Sequence, residues 1–374
     1  MKTFNGLYKK VCSRENLELA FQKARKRKTR KPYVVEFEKN LKENLNLLRT
    51  ELLLHSYRPL PLRDKIIKEP KTRRISISNF RDRVVHHAIC NIIEPIFDKR
   101  FIADSFANRR GKGTLAAMER LNYFMNKSSK NYTIVNKFGK NNIRSFFFKG
   151  DIKKYFDNVS HEKLMQIISR TIRDKELLFL IRKILDNHNS KKEGCGMPLG
   201  NLTSQFFANV YLNELDQFVK NTLKAKYYIR YVDDFVILHN DYALLNDFKE
   251  RIDYFLRQEL LIELHQDKSK IMPLSRGIEF LGYRNYAYHK LLRMRNLRRA
   301  YQKIEEHKKE LIETSMSYDE AYASMEGWLA YAKKADTYKL RKKIAIYFEE
   351  AFPDKIAKVE IDRLLKIRNK CVKI

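Results

Sequence analysis

The residues from Tyr227 to Leu238, with the sequence YYIRYVDDFVIL, contain the feature that decides the fold. β-Branched and aromatic residues lie on both sides of Asp233 and Asp234 and favour strands, whereas aspartate favours turns. The stretch therefore predicts a β-hairpin with two carboxylates at its tip. Adjacent like charges raise each other's pKa, and a divalent cation removes that cost because Mg²⁺ prefers carboxylate oxygens. An isolated Asp-Asp pair is also typical of a solvated acidic turn.

A third carboxylate makes a metal site the better interpretation. The mostly apolar run FFFKG at 146–150 ends at Asp151, about 80 residues before the hairpin. A strand that ends at one acid and a hairpin that ends at two can assemble a two-metal site, in which ions ~3.5–4 Å apart activate the attacking oxygen and stabilise the leaving one. Phosphoryl transfer requires mainly positioning and charge neutralisation, so such a site needs no nucleophilic side chain.

The charge of the chain predicts a polyanionic partner. Its 374 residues are enough for two or three packed lobes, and 77 Lys and Arg against 45 Asp and Glu give a formal net charge of +32. Nucleic acid fits this charge better than a membrane, because no apolar run approaches the ~20 residues of a membrane span. The N-terminus lacks the apolar core of a signal peptide and the four cysteines form no CxxC pair, so the expected location is cytoplasmic, without zinc or disulfides.

Basic segments before the acids are candidates for phosphate contacts. Two alternating strands between Lys65 and Ile77 predict a cationic hairpin that is suited to clamp a triphosphate. The segment RRGKGT at 109–114 predicts a loop and helix start that contact the template or primer backbone, although it lacks the spacing of a P-loop. Residues 126–145 are polar and predict an exposed insertion.

A glycine-rich loop, GCGMPLGNLTSQ from Gly194 to Gln205, lies between the acids in sequence. Three glycines and a proline allow the backbone to approach a ligand closely, so the loop is a nucleotide-site candidate as well as an ordinary turn. A helix is predicted from Ser204 to Val219, with Thr203 or Ser204 as its cap. His161, upstream of the loop, is expected at the surface.

The order of Asp151, the glycine loop and YVDD at 231–234 resembles that of reverse transcriptases, over roughly residues 55–340. Gln205 stands where group II intron and retroviral-type enzymes commonly carry proline. The segment LGNLTSQ at 199–205 is instead similar to the reverse transcriptases of diversity-generating retroelements. So are RGKGT at 110–114, SRGIEFLGY at 275–283 followed by HKLLR at 289–293, and GWL from Gly327.

The resemblance implies an α+β right-hand polymerase with fingers, a palm of antiparallel sheet and helices, and a helical thumb. The expected divisions are a basic helical region at 1–58, fingers at 59–145, a palm at 146–290 that includes part of the fingers at about 158–195, and a thumb with a basic tail at 291–374. It also implies two Mg²⁺ ions, for which Mn²⁺ can substitute, together with dNTPs, an RNA template and a cDNA/RNA duplex. A small basic accessory protein or a structured non-coding RNA is a further candidate partner.

The resemblance also assigns the catalytic roles. Asp151 and Asp233 would ligate both metals and Asp234 would complete the cluster, with Ile152 among the metal-site residues. Lys268 matches a lysine near the outgoing pyrophosphate, a candidate general acid.

Seven residues are expected to bind the nucleotide: Lys68, Arg73, Arg74, Phe156, Leu199, Gly200 and Gln205. Arg73 matches the fingers arginine that grips the triphosphate, with the other two cations as helpers. Phe156 matches the steric gate that selects dNTPs; a core residue is the alternative, and the motif spacing favours the gate. Leu199 stands where many reverse transcriptases have a glutamine that contacts the nucleotide. The residues expected to bind nucleic acid are Arg110, Lys112, Tyr231 and a primer-grip hairpin of Phe280, Leu281, Gly282 and Tyr283.

The sequence therefore predicts an RNA-directed DNA polymerase of the retroelement type, error-prone at template adenines. A phage-defence reverse transcriptase that uses a structured non-coding RNA is the first alternative. A non-catalytic RNA-binding protein on the same fold belongs to another class, and the intact acid triad argues against it. A retron enzyme is disfavoured because its VTG segment is missing. A group II intron maturase is disfavoured because a further DNA-binding or endonuclease region is expected there.

Overall fold

The computed structural model of the protein describes residues 2–67, 72–132, 134–137, 140–143, 145–188, 190 and 192–360. Lys68, one of the predicted nucleotide contacts, lies outside these residues. The fold is α+β, as the sequence predicted.

The helices share amphipathic or fully buried apolar faces and are α1 Leu7–Val11, α2 Arg14–Arg25, α3 Pro32–Lys39, α4 Leu41–Leu53, α5 Phe80–Asp98, α6 Thr114–Ser128, α7 Tyr155–Asn158, α8 His161–Ser169, α9 Lys175–Asp186, α10 Leu202–Gln217, α11 Tyr242–Glu259, α12 Met294–Ile312, α13 Tyr318–Ala332 and α14 Tyr338–Ala351. The strands are β1 Arg63–Ile67, β2 Arg73–Ile77, β3 Ile134–Lys137, β4 Lys140–Ile143, β5 Phe146–Asp151, β6 Tyr227–Tyr231, β7 Asp234–His239, β8 Lys270–Pro273, β9 Ile278–Phe280, β10 Tyr283–Asn285 and β11 Lys290–Leu292. None of the described helices combines the length and apolar character that crossing a membrane requires.

The chain divides into two compact units. The first comprises Met1–Ser129 and Ser145–Met272, and the second comprises Lys130–Arg144 and Pro273–Ile374. In the second unit, β9, β10 and β11 form a three-stranded antiparallel sheet, and α12, α13 and α14 pack around their own apolar core. Residues 294–351 of the segment predicted to be a thumb are largely helical, and the assignment of that segment as a thumb stays a prediction.

A four-stranded sheet in the order β6-β7-β5-β8 is the centre of the first unit. β6 and β7 pair antiparallel, which confirms the hairpin predicted at 227–238, and β5 pairs antiparallel with β7. The β-branched and aromatic side chains that predicted these strands from the sequence are buried: Phe147, Phe148, Tyr228, Ile229, Phe235, Val236 and Ile237. α11 packs against β5 and β7, and α6 packs against β6 and β7.

Two local expectations are wrong. α10 begins at Leu202, with Asn201 as its N-cap residue, so Thr203 and Ser204 lie inside the helix and are buried. The predicted exposed insertion at 126–145 is exposed only in part: α6 continues to Ser128, and Ser128, Ser129 and Ser145 are buried, whereas Asn126 and Lys127 are exposed. Serine misled the second expectation, since a hydroxyl that finds a hydrogen-bond partner can be buried; the Ser145 hydroxyl lies 3.1 Å from that of Ser128.

The absence of a side chain at Gly150 leaves room for an aromatic ring from the neighbouring strand. A Cβ atom built at this position would overlap the ring of Phe235, which faces it across the strand pair. The glycine therefore allows the aromatic ring to fill the space directly beneath the strand that ends at Asp151.

We predict that Gly150→Ala lowers the free energy of unfolding by about 1–3 kcal/mol, the usual cost of overpacking a core. Denaturant titration measures this change. Gly327→Ala is the matched control, because a Cβ at Gly327 in α13 meets nothing within 4 Å, and alanine stabilises a helix by about 0.5–1 kcal/mol relative to glycine. Equal stability of Gly150→Ala and the wild type would contradict the steric argument.

Candidate active site

The antiparallel register brings the three predicted carboxylates together. Asp151, the last residue of β5, pairs directly with Asp234, the first residue of β7. Asp233 occupies the two-residue turn between β6 and β7, next to that pair. Directly opposed residues of an antiparallel pair have Cβ atoms about 4.5–5.5 Å apart. The sequence placed both hairpin acids at the tip, whereas Asp234 is already part of the sheet.

The turn that carries Asp233 is strained. Val232, its first residue, has a φ of 58° in the left-handed region. A β-branched residue is rarely found there, and such a conformation costs on the order of 1–3 kcal/mol and persists only when the surroundings impose it. The surroundings of this turn must therefore supply the contacts that hold it.

Burial and neighbouring charge both act on the carboxyl group of Asp233. Burial raises the pKa of its carboxyl group to about 6, and the charges of Asp151 and Asp234 add to the rise, while a backbone N–H and the charge of Arg73 oppose it. The ionised form of Asp233 is thus destabilised where no cation is bound. A nearby positive charge or metal ion would reverse that cost.

Two lysines balance the other two carboxylates. The Nζ atom of Lys268 lies 2.7 Å from Oδ2 of Asp151, and that of Lys149 lies 3.1 Å from Oδ1 of Asp234. Lys268 is the predicted general-acid candidate, and the structure places it at the site. Asp233 is the carboxylate to which neither lysine is paired.

A neighbouring loop holds the backbone of Asp151 through two hydrogen bonds. The Asp151 carbonyl accepts a hydrogen bond from the His265 backbone N–H at 2.7 Å, and the Asp151 N–H donates to the Ser269 hydroxyl at 3.2 Å. Ile152 is 2% exposed and its side chain contains no oxygen, so its backbone carbonyl is the only oxygen that it could offer to a metal ion.

The predicted cationic hairpin of β1 and β2 lies beside the glycine loop. A Cβ at Gly200, whose φ is 104°, would come within 2.8 Å of the Ile75 side chain on β2. Arg73 is exposed, and its positive charge lowers the pKa of Asp233. Arg74 is instead ion-paired with Asp64 across the hairpin, so its guanidinium is already engaged.

The glycine loop runs along the segment that contains Phe156. The Phe156 carbonyl accepts a hydrogen bond from the Met197 N–H at 2.7 Å, and Phe156 itself is half-buried against the core. His161 was expected at the surface, but it is 2% exposed, and its Nε2 lies 2.6 Å from the Gly196 carbonyl. Leu199 and Gln205 are both half-buried and follow this anchored part of the loop.

The residues expected to contact nucleic acid differ in whether their side chains are exposed or already hydrogen-bonded within the protein. Arg110 is exposed, whereas the Lys112 ammonium donates to the Ala103 carbonyl at 2.8 Å. The hydroxyl of Tyr231 lies 3.3 Å from that of Thr114 at the start of α6.

The predicted primer-grip residues belong to the second unit. Phe280 and Tyr283 are buried, while Leu281 and Gly282 form the tight turn between β9 and β10. Both turn residues have positive φ, as in a type I′ hairpin turn. Of these four residues, Leu281 and Gly282 are the partly exposed ones.

A family model described as "Reverse transcriptase (RNA-dependent DNA polymerase)" matches residues 66–285, more than half of the chain. The chain belongs to the reverse transcriptase family. The resemblance to reverse transcriptases is thereby confirmed, and residues 66–285 form a reverse transcriptase domain.

Three relatives show how far the similarity extends. Protein YkfC of Escherichia coli K12 is 28% identical over 279 residues, which cover 64% of this chain and 70% of that protein. The group II intron-encoded protein LtrA of Lactococcus lactis subsp. cremoris is 29% identical over 248 residues, 62% of this chain and 38% of LtrA. The retron Ec73 reverse transcriptase of Escherichia coli is 28% identical over 247 residues, 61% of this chain and 73% of that enzyme.

The donor set of this reverse transcriptase domain fits divalent cations. Three carboxylates are adjacent, and the pKa of one of them, Asp233, is raised first by burial and then by the charges of the other two. As the side chains lie, no group of three acid, histidine or cysteine residues among those described closes around one ion. The ammonium groups of Lys149 and Lys268 are paired with two of the carboxylates, so cation binding would compete with these ion pairs.

Sequence reasoning missed two cations at this site. Lys149 lies two residues before Asp151 on β5, and the two-residue period of a strand places both side chains on the same face. Arg230 lies on β6 between two apolar neighbours and is completely buried. A charged residue inside an otherwise apolar strand was the available signal in both cases.

We predict that Asp233→Asn stabilises the metal-free protein at pH 7–8 by roughly 1–3 kcal/mol. The folded pKa is about 6 and the unfolded value is about 3.9, so ionising Asp233 costs folding free energy that develops as pH rises from about 4 to 6. The gain should therefore disappear below about pH 4. Thermal unfolding in EDTA across this pH range measures it.

Asp234→Asn is the matched control, because it removes the partner of Lys149 and should not stabilise. A gain for Asp233→Asn that is the same at pH 4 and pH 8 would show that its origin is not the carboxyl charge.

Proposed function

We propose that the protein is an RNA-directed DNA polymerase that synthesises cDNA on an RNA template by metal-dependent nucleotidyl transfer. The observation that carries this proposal is the pairing of Asp151 with Asp234, with Asp233 in the adjacent turn, in a member of the reverse transcriptase family. A non-catalytic RNA-binding protein would have no need to keep these mutually repelling carboxylates together.

The three aspartates are the residues that would hold two Mg²⁺ ions, or Mn²⁺ in their place. When bound, such ions activate the attacking 3′ oxygen and neutralise charge on the phosphates. Asp151 and Asp233 would serve both ions, the backbone carbonyl of Ile152 would be an additional oxygen, and Asp234 would complete the set. The raised pKa of Asp233 supports this assignment, because it marks the place where a cation gains most.

The cations of the chain act on the phosphates of the dNTP. Arg73 is exposed and near enough for its charge to affect Asp233, so it can hold a triphosphate beside the carboxylates. Lys268 lies at Asp151 and can transfer its proton to the departing pyrophosphate. Arg74, which is paired with Asp64, would instead keep the β1–β2 hairpin in shape.

The polymerase divisions expected from the sequence become part of the proposal. Residues 59–145 would form the fingers, 146–290 the palm with part of the fingers at about 158–195, and 291–374 the thumb and basic tail. The net charge of +32 supports binding of template RNA and a cDNA/RNA duplex.

The finer proposal is an error-prone enzyme of a diversity-generating retroelement. Leu199 and Gln205 support it, because the segment at 199–205 is similar to those enzymes and an apolar residue at 199 cannot hydrogen-bond the nucleotide. A phage-defence enzyme using a structured non-coding RNA remains the second candidate, since the same catalytic residues would serve it.

We predict that replacing both Asp233 and Asp234 with alanine abolishes dNTP incorporation in a primer-extension assay with Mg²⁺, because the metal ligands are lost. Folding and RNA binding should persist. Asp247→Ala with Glu250→Ala, two acids of α11, is the control, since it changes the net charge by the same amount away from the site. Appreciable extension by the site variant would contradict the proposal.

We predict that Phe156→Ala lowers the preference for dNTPs over rNTPs by about tenfold or more, equivalent to ~1.4 kcal/mol, because it opens space beside the ribose 2′ position. Primer extension with competing dNTPs and rNTPs measures the ratio. Tyr155→Phe, which retains the neighbouring ring, should leave the ratio unchanged. An unchanged ratio in Phe156→Ala would identify this residue as part of the core only.

We predict frequent misincorporation opposite template adenine, reduced in Leu199→Gln by several-fold to about tenfold. The added hydrogen bond is worth a net ~0.5–1.5 kcal/mol toward aligning the nucleotide. Deep sequencing of cDNA made on a defined RNA measures the errors, and Leu199→Met is the control that adds no such bond. Uniformly low error at all four bases would favour the phage-defence candidate.

A further inference from the structure

A buried guanidinium lies directly behind the turn that carries Asp233. Arg230, on β6, is 0% exposed, and so is its ion-pair partner Asp216 on α10. Nε and Nη2 of Arg230 donate to the two carboxylate oxygens of Asp216 at 2.7 and 2.6 Å, which is a bidentate pair. Tyr228 also donates to Asp216, at 2.7 Å. Such geometry fixes the plane of the guanidinium.

The remaining donors of Arg230 reach three different parts of the first unit. Nη2 donates to the Ser105 hydroxyl at 3.2 Å, and Nη1 donates to the Asn209 side chain at 3.2 Å. Nη1 also donates to the Val232 carbonyl at 3.0 Å. The last contact connects the fixed guanidinium to the catalytic turn.

Val232 is the residue with φ of 58°. A β-branched side chain does not favour this conformation, so the turn needs an external contact to persist. Its carbonyl receives that contact from a charged donor, and hydrogen bonds from charged donors are the stronger kind. Asp233 is the next residue, so the position of the Val232 carbonyl determines where the Asp233 backbone begins.

Backbone hydrogen bonds also hold β6 at Arg230. The Arg230 N–H donates to the Asp104 carbonyl at 3.0 Å, and the Phe106 N–H donates to the Arg230 carbonyl at 3.1 Å. β6 is an edge strand of its sheet, and the loop at 104–106 covers that edge. The backbone of Arg230 therefore cannot shift to follow the turn.

A buried ion pair contributes little to stability in general, because desolvation of both ions offsets their attraction. Stability alone therefore gives no reason to bury this guanidinium next to the carboxylates. The hydrogen bond from Arg230 to the turn that carries Asp233 gives such a reason.

We propose that Arg230 is a positioning residue of the polymerase site: held by Asp216, it fixes the Val232 carbonyl and so maintains the strained turn that presents Asp233 to the metals. The proposal rests on the proposed function for its catalytic consequence. Its structural content, a turn arranged to bind divalent cations, can be tested without catalysis.

The test uses Arg230→Lys, Val232→Gly and the double variant, in the full chain. Lysine keeps the positive charge but not the fork that reaches both Asp216 and Val232. Glycine adopts positive φ without strain, so the turn of the double variant no longer depends on the arginine. Mn²⁺ affinity, measured by electron paramagnetic resonance on protein without nucleic acid, reports the turn directly.

Arg230→Lys should weaken Mn²⁺ binding about tenfold, and the double variant should recover several-fold of that loss. In primer extension, the Mg²⁺ concentration for half-maximal rate should rise in parallel, while the KM for dNTP changes less than about threefold. Tyr211→Phe is the control: it removes a different buried hydrogen bond made by α10, to the Leu260 carbonyl, and should lower thermal stability without changing Mn²⁺ affinity.

Unchanged Mn²⁺ affinity in a folded Arg230→Lys, or strictly additive effects in the double variant, would overturn the proposal and leave Arg230 as a core residue. If Arg230→Lys does not fold, Ser105→Ala decides, because it loosens the guanidinium by one contact and should weaken Mn²⁺ binding two- to threefold; no change would overturn the proposal. A wild type that binds no Mn²⁺ overturns it as well. A wild type that binds Mn²⁺ with the expected pattern but extends no primer contradicts the proposed function alone.

Discussion

Repulsion among three adjacent carboxylates is the constraint on which the rest of the site depends. β5 and β7 pair in a register that sets Asp151 against Asp234, and the hairpin turn adds Asp233 beside them. The protein balances two of the charges with Lys268 and Lys149 and leaves the third with a raised pKa. The raised pKa comes first from the burial of Asp233 and then from its two acidic neighbours, so a bound cation would lower the cost of ionising it.

The same carboxylates require a rigid support. Gly150 lets the ring of Phe235 fill the space under β5, and Ser269 fixes the backbone of Asp151. Arg230 and Asp216 hold the turn from the opposite side. Each of these contacts holds the backbone in place. Such restraint is needed because carboxylates that repel one another stay together only when the strands that carry them cannot move apart.

Much of the site was predictable from residues near one another in sequence. The alternation around Asp233 and the apolar run before Asp151 predicted two strands, and the order of motifs predicted the family, both of which are confirmed. Local pattern failed where burial decided the outcome. His161 is polar and adjacent to a helix start, so it was expected outside, but its ring is buried because it binds the Gly196 carbonyl. The helix at Leu202 began earlier than its best capping residues suggested.

The sequence by itself determined which residue types are present for the chemistry: three acids, basic residues and a glycine loop, in an order specific to reverse transcriptases. Only the tertiary structure decided how they are compensated. The pairing of Lys149 with Asp234, the engagement of Arg74 by Asp64, and the contact between Arg230 and Val232 all depend on distances between side chains. Those distances follow from strand register and from helix packing across long sequence separations, which no local pattern of residues specifies.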